Sequence, residues 1–260
     1  MTTTTIRTRR TTALAATAGA VLLGAALTGC GSANAEGAPA EHKSFAFGGK
    51  SLTIDAANSA LDLVSADVER IEVTRRVDGW AVLGSGPDPV WRLEGNTLLL
   101  EVECRAMISN CEARHEVKVP RGIALTVKGD NGTVSAEGFA TPLKIGADNG
   151  GVHVRDVSGA LDLHADNGTI DAERISATSV VARADNGSID LGFSVVPDLV
   201  DTVSDNGRVL VDLPAGKNVY AVSAQADNGD VSVDVPRSES SGHVVKARSD
   251  NGEVRVREAN

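Results

Sequence analysis

Aromatic residues are scarce in this 260-residue chain: four Phe, two Trp and one Tyr, 3% of the total. A thick globular core draws much of its buried area from such rings, so their shortage points to a thin interior lined by Val, Ala, Leu and Ile. Basic charge is also short. Twenty-five Lys and Arg stand against 35 Asp and Glu, a net charge of −10, which excludes the basic footprint of a nucleic-acid binder. Catalytic motifs are missing: there is no GxSxG elbow, HExxH, P-loop or Rossmann glycine pattern. The five His, at 42, 115, 153, 164 and 243, are scattered, with His153 and His164 at outward positions of one repeat. Asp171, Arg174, Asp190 and Arg208 are the most that a polysaccharide-lyase-like cluster would have to draw on, and ordinary solvated surface accounts for them. The chain therefore reads as non-enzymatic.

Only one stretch carries a targeting pattern. Arg7, Arg9 and Arg10 precede an apolar, Gly-interrupted segment, Ala13 to Leu27, too short for a lasting membrane span. It ends in Leu27-Thr28-Gly29-Cys30, a lipobox in which small residues suit the peptidase and the Cys30 thiol takes the lipid. Residues 1–29 are thus expected to be a lipoprotein signal peptide, and 30–43 a flexible linker from lipidated Cys30. This places the mature chain on the extracytoplasmic face of the cell membrane, held by its anchor. Arg9-Arg10 leaves Sec or twin-arginine export open. The three arginines are the only charges before Cys30, so without them −10 becomes −13.

Two further cysteines, Cys104 and Cys111, have six residues between them. Outside the cytoplasm this spacing suits a disulfide, with two free thiols as the alternative. Zinc does not fit, since the spacing is not CxxC and His115 alone cannot complete four ligands.

The strongest pattern is a repeat. Asp-Asn-Gly occurs seven times: Asp130-Asn131-Gly132, Asp148-Asn149-Gly150, Asp166-Asn167-Gly168, Asp185-Asn186-Gly187, Asp205-Asn206-Gly207, Asp227-Asn228-Gly229 and Asp250-Asn251-Gly252, at spacings of 18, 18, 19, 20, 22 and 23 residues. The second and fourth residues after each Gly are apolar, from Val134/Ala136 to Val254/Val256. Counting five and three residues back from each Asp gives a matching set, from Leu125/Val127 to Val245/Ala247, in which only Thr202 breaks the rule. The residue before each Asp is always Gly, Ala or Ser, as a narrowing inside corner requires. Period-2 alternation marks half-buried strands. Each unit is therefore strand, corner, strand and a second connection that lengthens along the chain from 6 to 11 residues. Asn and Gly suit a corner needing positive φ, and Asp suits one whose backbone N–H groups want an acceptor.

The fold class expected is all-β: a single-domain β-solenoid of stacked repeats of about 20 residues. Identical corners are explained by self-stacking with an Asn ladder; the alternative is an antiparallel meander with each Asp-Asn-Gly as a hairpin turn. Residues 129–260 hold the repeats. Residues 44–128 read as degenerate repeats and a bulkier cap with Phe45, Phe47, Trp80 and Trp91, interrupted by a turn region at Val82–Pro89. No cofactor is required. A stacked Asp column leaves calcium open, because like charges one rung apart must be screened, bonded or bridged.

The segment Val119-Pro120-Arg121-Gly122-Ile123-Ala124-Leu125-Thr126-Val127, followed by the Asn-Gly strand repeat, resembles the bacterial DUF4097 β-strand-repeat family, with its adhesin-like, toast-rack relatives, over residues 44–260. The resemblance implies an exported repeat protein without catalytic residues. The expected role is structural or adhesin-like, toward an envelope protein or glycan partner. An accessory part in envelope-stress sensing is the alternative that the resemblance brings.

Overall fold

A computed structural model describes residues 35–259. The signal segment, the lipobox and Cys30 lie outside the described residues. Residues 33–260 form one compact unit, and its apolar cluster runs from Phe45 to Val256.

A single 3-10 turn, Ala35–Gly37, leads into β1 (Glu41–Phe45), β2 (Ser51–Ala57), β3 (Ser59–Ala66) and two 24-residue strands, β4 (Ile71–Glu94) and β5 (Thr97–Pro120). Seven strand pairs follow, each split by an Asp-Asn-Gly: β6/β7 (Ala124–Asn131, Val134–Glu137), β8/β9 (Leu143–Asn149, Val152–Arg155), β10/β11 (Leu161–Asn167, Ile170–Ile175), β12/β13 (Ser179–Asn186, Ile189–Phe193), β14/β15 (Leu199–Asn206, Val209–Leu213), β16/β17 (Ala221–Asn228, Val231–Asp234) and β18/β19 (Val244–Asn251, Val254–Glu258). Equivalent strands stack in parallel and in register, which makes the chain a β-solenoid and rules out the meander. Leu125 lies over Leu143, then Leu161, Val180, Val200 and Val245; Val134 begins the matching column Val152, Ile170, Ile189, Val209 and Val254. These columns are buried. Alternation dictates the outcome: Val and Ile pack well on a pleated surface, and period 2 sends every second side chain inward. Thr202, the exception in its column, is also buried and donates its hydroxyl to the Lys246 carbonyl at 3.2 Å.

Stack order departs from chain order at both ends. β2/β3 sits between β5 and β6/β7. At the far end β18/β19 lies against β14/β15, and β16/β17 is the outermost rung. The chain skips one level and then returns. This explains the two longest spacings, 22 and 23 residues, which the sequence presented only as longer edge loops.

The cap differs from its expected form. β5 spans one rung alone, pairing with β2 through Thr97–Glu101 and with β3 through Ala113–Pro120. β4 runs antiparallel to β5, and β1 antiparallel to β4. Val82–Pro89 is strand, part of β4, because β5 offers it backbone partners along that stretch. The linker expected over 30–43 is partly structured: Ala35 is buried, Glu36 pairs with Arg114 at 3.0 Å, and β1 begins at Glu41.

Candidate functional site: corner ladder and polar face

The repeated Asp-Asn-Gly corners line one edge of the stack. Their Asn side chains form one continuous ladder. Asn149 Nδ2 donates to Asn131 Oδ1, Asn167 to Asn149, Asn186 to Asn167, Asn206 to Asn186, Asn251 to Asn206 and Asn228 to Asn251, all at 3.0–3.2 Å. Asn131 extends the row to Asn58, in the β2/β3 rung, at 3.0 Å. The backbone bonds run through the corner as well, from Gly132 N–H to Asn149 O and onward rung by rung.

Positive φ, the reason the sequence suggests for glycine, holds at Gly132 (φ 126°) but not at Gly150, Gly168, Gly187 or Gly207. None of the seven corner Asn has positive φ. A Cβ at Gly150 would instead lie 2.2 Å from Gly132 O, one at Gly168 2.1 Å from Gly150 O, and one at Gly187 1.9 Å from Gly168 O. The corners stack too closely for any side chain. Nor do the Asp side chains cap the corner: among the described residues none of the seven accepts a bond from a backbone N–H. Their carboxylates face outward, where His164 reaches Asp166 at 2.7 Å, and Arg248 bridges Asp227 and Asp250 at 3.1 and 3.0 Å. Among the described residues no group of three or more His, Cys, Asp or Glu is placed to hold a metal ion.

The wall formed by β3, β7, β9 and β11 carries a groove of about 260 Å³. Two rows of outward side chains line it. One runs Asp62, Ser135, His153, Asp171; the other Val64, Glu137, Arg155, Glu173. Arg155 pairs with Glu173 at 3.3 Å, His153 lies 3.9 Å from Asp171, and Arg114 reaches Asp62 at 2.8 Å. Of the lyase-like quartet, Asp171 and Asp190 lie opposite each other on neighbouring rungs and Arg208 bonds Asp190 at 2.9 Å, but Arg174 turns to Asp156 at 2.6 Å, which holds the Asp156 carboxyl below its ordinary range.

One polar pair escaped the sequence reading. Ser59 Oγ lies 2.6 Å from His115 Nδ1, both groups buried. The Ser59 hydroxyl also has the Ala60 and Ala113 carbonyls at 3.1 and 3.4 Å. A buried N–H without an acceptor costs more than an unpartnered lone pair, and Nε2 is the atom without a partner, which favours the tautomer with Nδ1–H directed to Oγ. Burial, reinforced by Arg75, lowers the His115 pKa from 6.5 to about 4. With no carboxylate bonded to the imidazole among the described residues and both side chains buried, the pair reads as a core contact. Its signal was available, since His115 falls at an inward position of the Ala113–Val119 alternation.

Cys104 and Cys111 are joined by a disulfide, with Cα atoms 6.5 Å apart. Between them β5 leaves the solenoid: β2 and β3 turn the corner with Asn58 alone, while β5 uses residues 102–112.

A family profile described as Toastrack DUF4097 matches residues 54–260. Among solved structures, a "putative cell adhesion protein" from Clostridium sporogenes aligns at 11% identity, covering 85% of this chain and 99% of that one, with a TM-score of 0.37. No curated protein matches the sequence.

Proposed function

The chain belongs to the Toastrack DUF4097 family, and on that premise we propose that it works as a lipid-anchored, extracytoplasmic, non-enzymatic scaffold with an adhesin-like binding role. The observation that carries this reading is the β3–β7–β9–β11 wall. It sets acid, base and hydroxyl side chains in straight rows on a backbone that the ladder and the aliphatic columns hold rigid. Such a surface binds an envelope protein or glycan by matched hydrogen bonds and charges, and needs no cofactor. The lipobox at Cys30 supplies the anchor.

Cross-linking on intact cells, followed by capture of the protein, tests the binding role. Wild type should recover a partner that an Arg155→Glu, Glu173→Arg variant loses; equal recovery by both would remove the wall from the proposal. Cys30→Ser should shift the protein from membrane to soluble fractions, and unchanged fractionation would dismiss the anchor.

A further inference from the structure

We infer that the paired excursion of β4 and β5 is a second membrane contact, a stapled apolar knuckle that lies in the headgroup boundary of the bilayer beside the lipid anchor. Over residues 78–89 and 102–112 the two strands leave the solenoid together, with Val82 opposite Ile108 and Gly84 opposite Ala106. Leu83 is 78% exposed, Met107 82%, Ile108 59% and Val82 46%. The other exposed large apolar residues, Val64, Val195, Val219 and Val231, lie on separate strands and loops. The exposure therefore forms one patch on one projecting ribbon, the kind of apolar surface that marks an interaction site.

The knuckle is built to hold its shape. The Cys104–Cys111 disulfide closes its neck. β4 wraps outside that staple because Gly79 and Gly86 lie on it: a Cβ at Gly79 would sit 3.1 Å from Cys111 Sγ, and one at Gly86 2.8 Å from Cys104 Sγ. Charge argues for lipid over protein. The acids of the excursion, Asp78, Asp88, Glu103 and Glu112, pair with one another in register at its neck, and beyond them residues 79–87 and 104–111 hold one charged side chain, Arg105, which forms an ion pair with Glu103. Acidic walls are repelled by an anionic bilayer, whereas this tip carries apolar side chains and its one cation is neutralised by Glu103, so burial of apolar surface alone draws it to such an interface. Four side chains on a narrow ribbon also fall short of the roughly 800 Å² per partner that a stable protein interface buries.

Position completes the case, and this step rests on the anchor reading. The Ala35–Gly37 turn contacts β4 and β5 at the foot of the knuckle, where Glu36 holds Arg114, the residue opposite Arg76. Cys30 is five residues from Ala35, a reach of at most about 17 Å. A lipid on Cys30 thus keeps the knuckle near the bilayer, and two weak signals make one stable attachment.

The test uses residues 33–260, which lack Cys30, tethered by an N-terminal hexahistidine tag to phosphatidylglycerol–phosphatidylethanolamine vesicles containing nickel-chelating lipid and brominated acyl chains. Tryptophan fluorescence should be quenched, with Trp80 three residues from Leu83 as reporter. Without the nickel lipid, a Leu83→Asp, Met107→Asp variant with unchanged circular dichroism should bind vesicles about tenfold more weakly than wild type. Absence of quenching, or equal binding by both proteins, would overturn the inference. So would a wild-type dimer that the variant abolishes, which would assign the tip to a second copy. Because no lipidated residue is present, these results stand apart from the anchor itself. Mass spectrometry of Cys30 from cells decides that separately, and an unmodified Cys30 alongside intact vesicle binding would sink only the anchor.

Discussion

Acidifying the solution from pH 7 to pH 4 should destabilise the solenoid through His115. Its imidazole is buried beside Ser59, and its pKa is lowered from 6.5 to about 4, chiefly by desolvation and then by Arg75. The unfolded chain therefore binds a proton at a higher pH than the folded chain does. Between these two values the unfolded state carries more protons, so stability rises with pH; it is fully present above 6.5 and falls as pH drops toward 4. The 2.5-unit difference between 6.5 and about 4 corresponds to a loss of about 2 kcal/mol at pH 5 and about 3 kcal/mol at pH 4. Urea unfolding of wild type and His115→Leu across this range isolates the effect, because exposed carboxylates titrate alike in both. The Leu variant keeps the inward apolar pattern and leaves Ser59 its two carbonyl acceptors. The wild-type curve should fall below the variant's by the stated amount as pH decreases. Parallel curves, or an NMR titration of His115 centred near 6.5, would refute the reasoning.

The other predictions concern the corner and the staple. Gly168→Ala sets a Cβ 2.1 Å from Gly150 O and should cost about 3 kcal/mol by thermal or urea unfolding. Gly146→Ala, whose Cβ meets only Val127 O at 4.0 Å, should stay within about 1 kcal/mol of wild type; similar losses at both sites would discredit the close-stacking explanation. Asn167→Ala removes the bonds to Asn149 and Asp148 and the one from Asn186. A cost of about 1–2 kcal/mol is expected, and a neutral result would make the ladder decorative. Replacing both Cys104 and Cys111 by Ser should cost about 2 kcal/mol and open residues 105–110 to limited proteolysis, with the remaining rungs still protected.

The aliphatic columns were legible residue by residue, because stacking forces every unit to repeat the same inward positions. The Asn ladder followed from the same logic. The corner glycines were recognised for a positive φ that Gly132 adopts but Gly150, Gly168, Gly187 and Gly207 do not, since a clash between rungs leaves no trace in one unit's own sequence. Rung exchange was hidden for a related reason: Val222 and Val245 suit either level equally, so composition cannot order them. The Ser59–His115 pair joins residues 56 positions apart, a contact that only the spanning of a whole rung by β5 creates. Leu83, Met107 and Ile108 read as ordinary strand or turn residues until β4 and β5 are seen to leave the stack together.

The exchanged order of the last two rungs raises the question of what stops the chain from piling up in the sequence in which it is synthesised. If β16/β17 settled directly on β14/β15, Val222 would cover Val200 and Asn228 would cover Asn206 as well as the native neighbours do. Asp234, however, would then face Asp212. In the observed arrangement Arg257 lies between these two carboxylates, opposite each of them, with its guanidinium 2.6 Å from Asp212. Like charges directly opposite each other oppose pairing, and a cation interposed between them favours it. Arg257, three residues from the end of the chain, thus acts as a shim that tells two nearly interchangeable planks which one lies beneath the other.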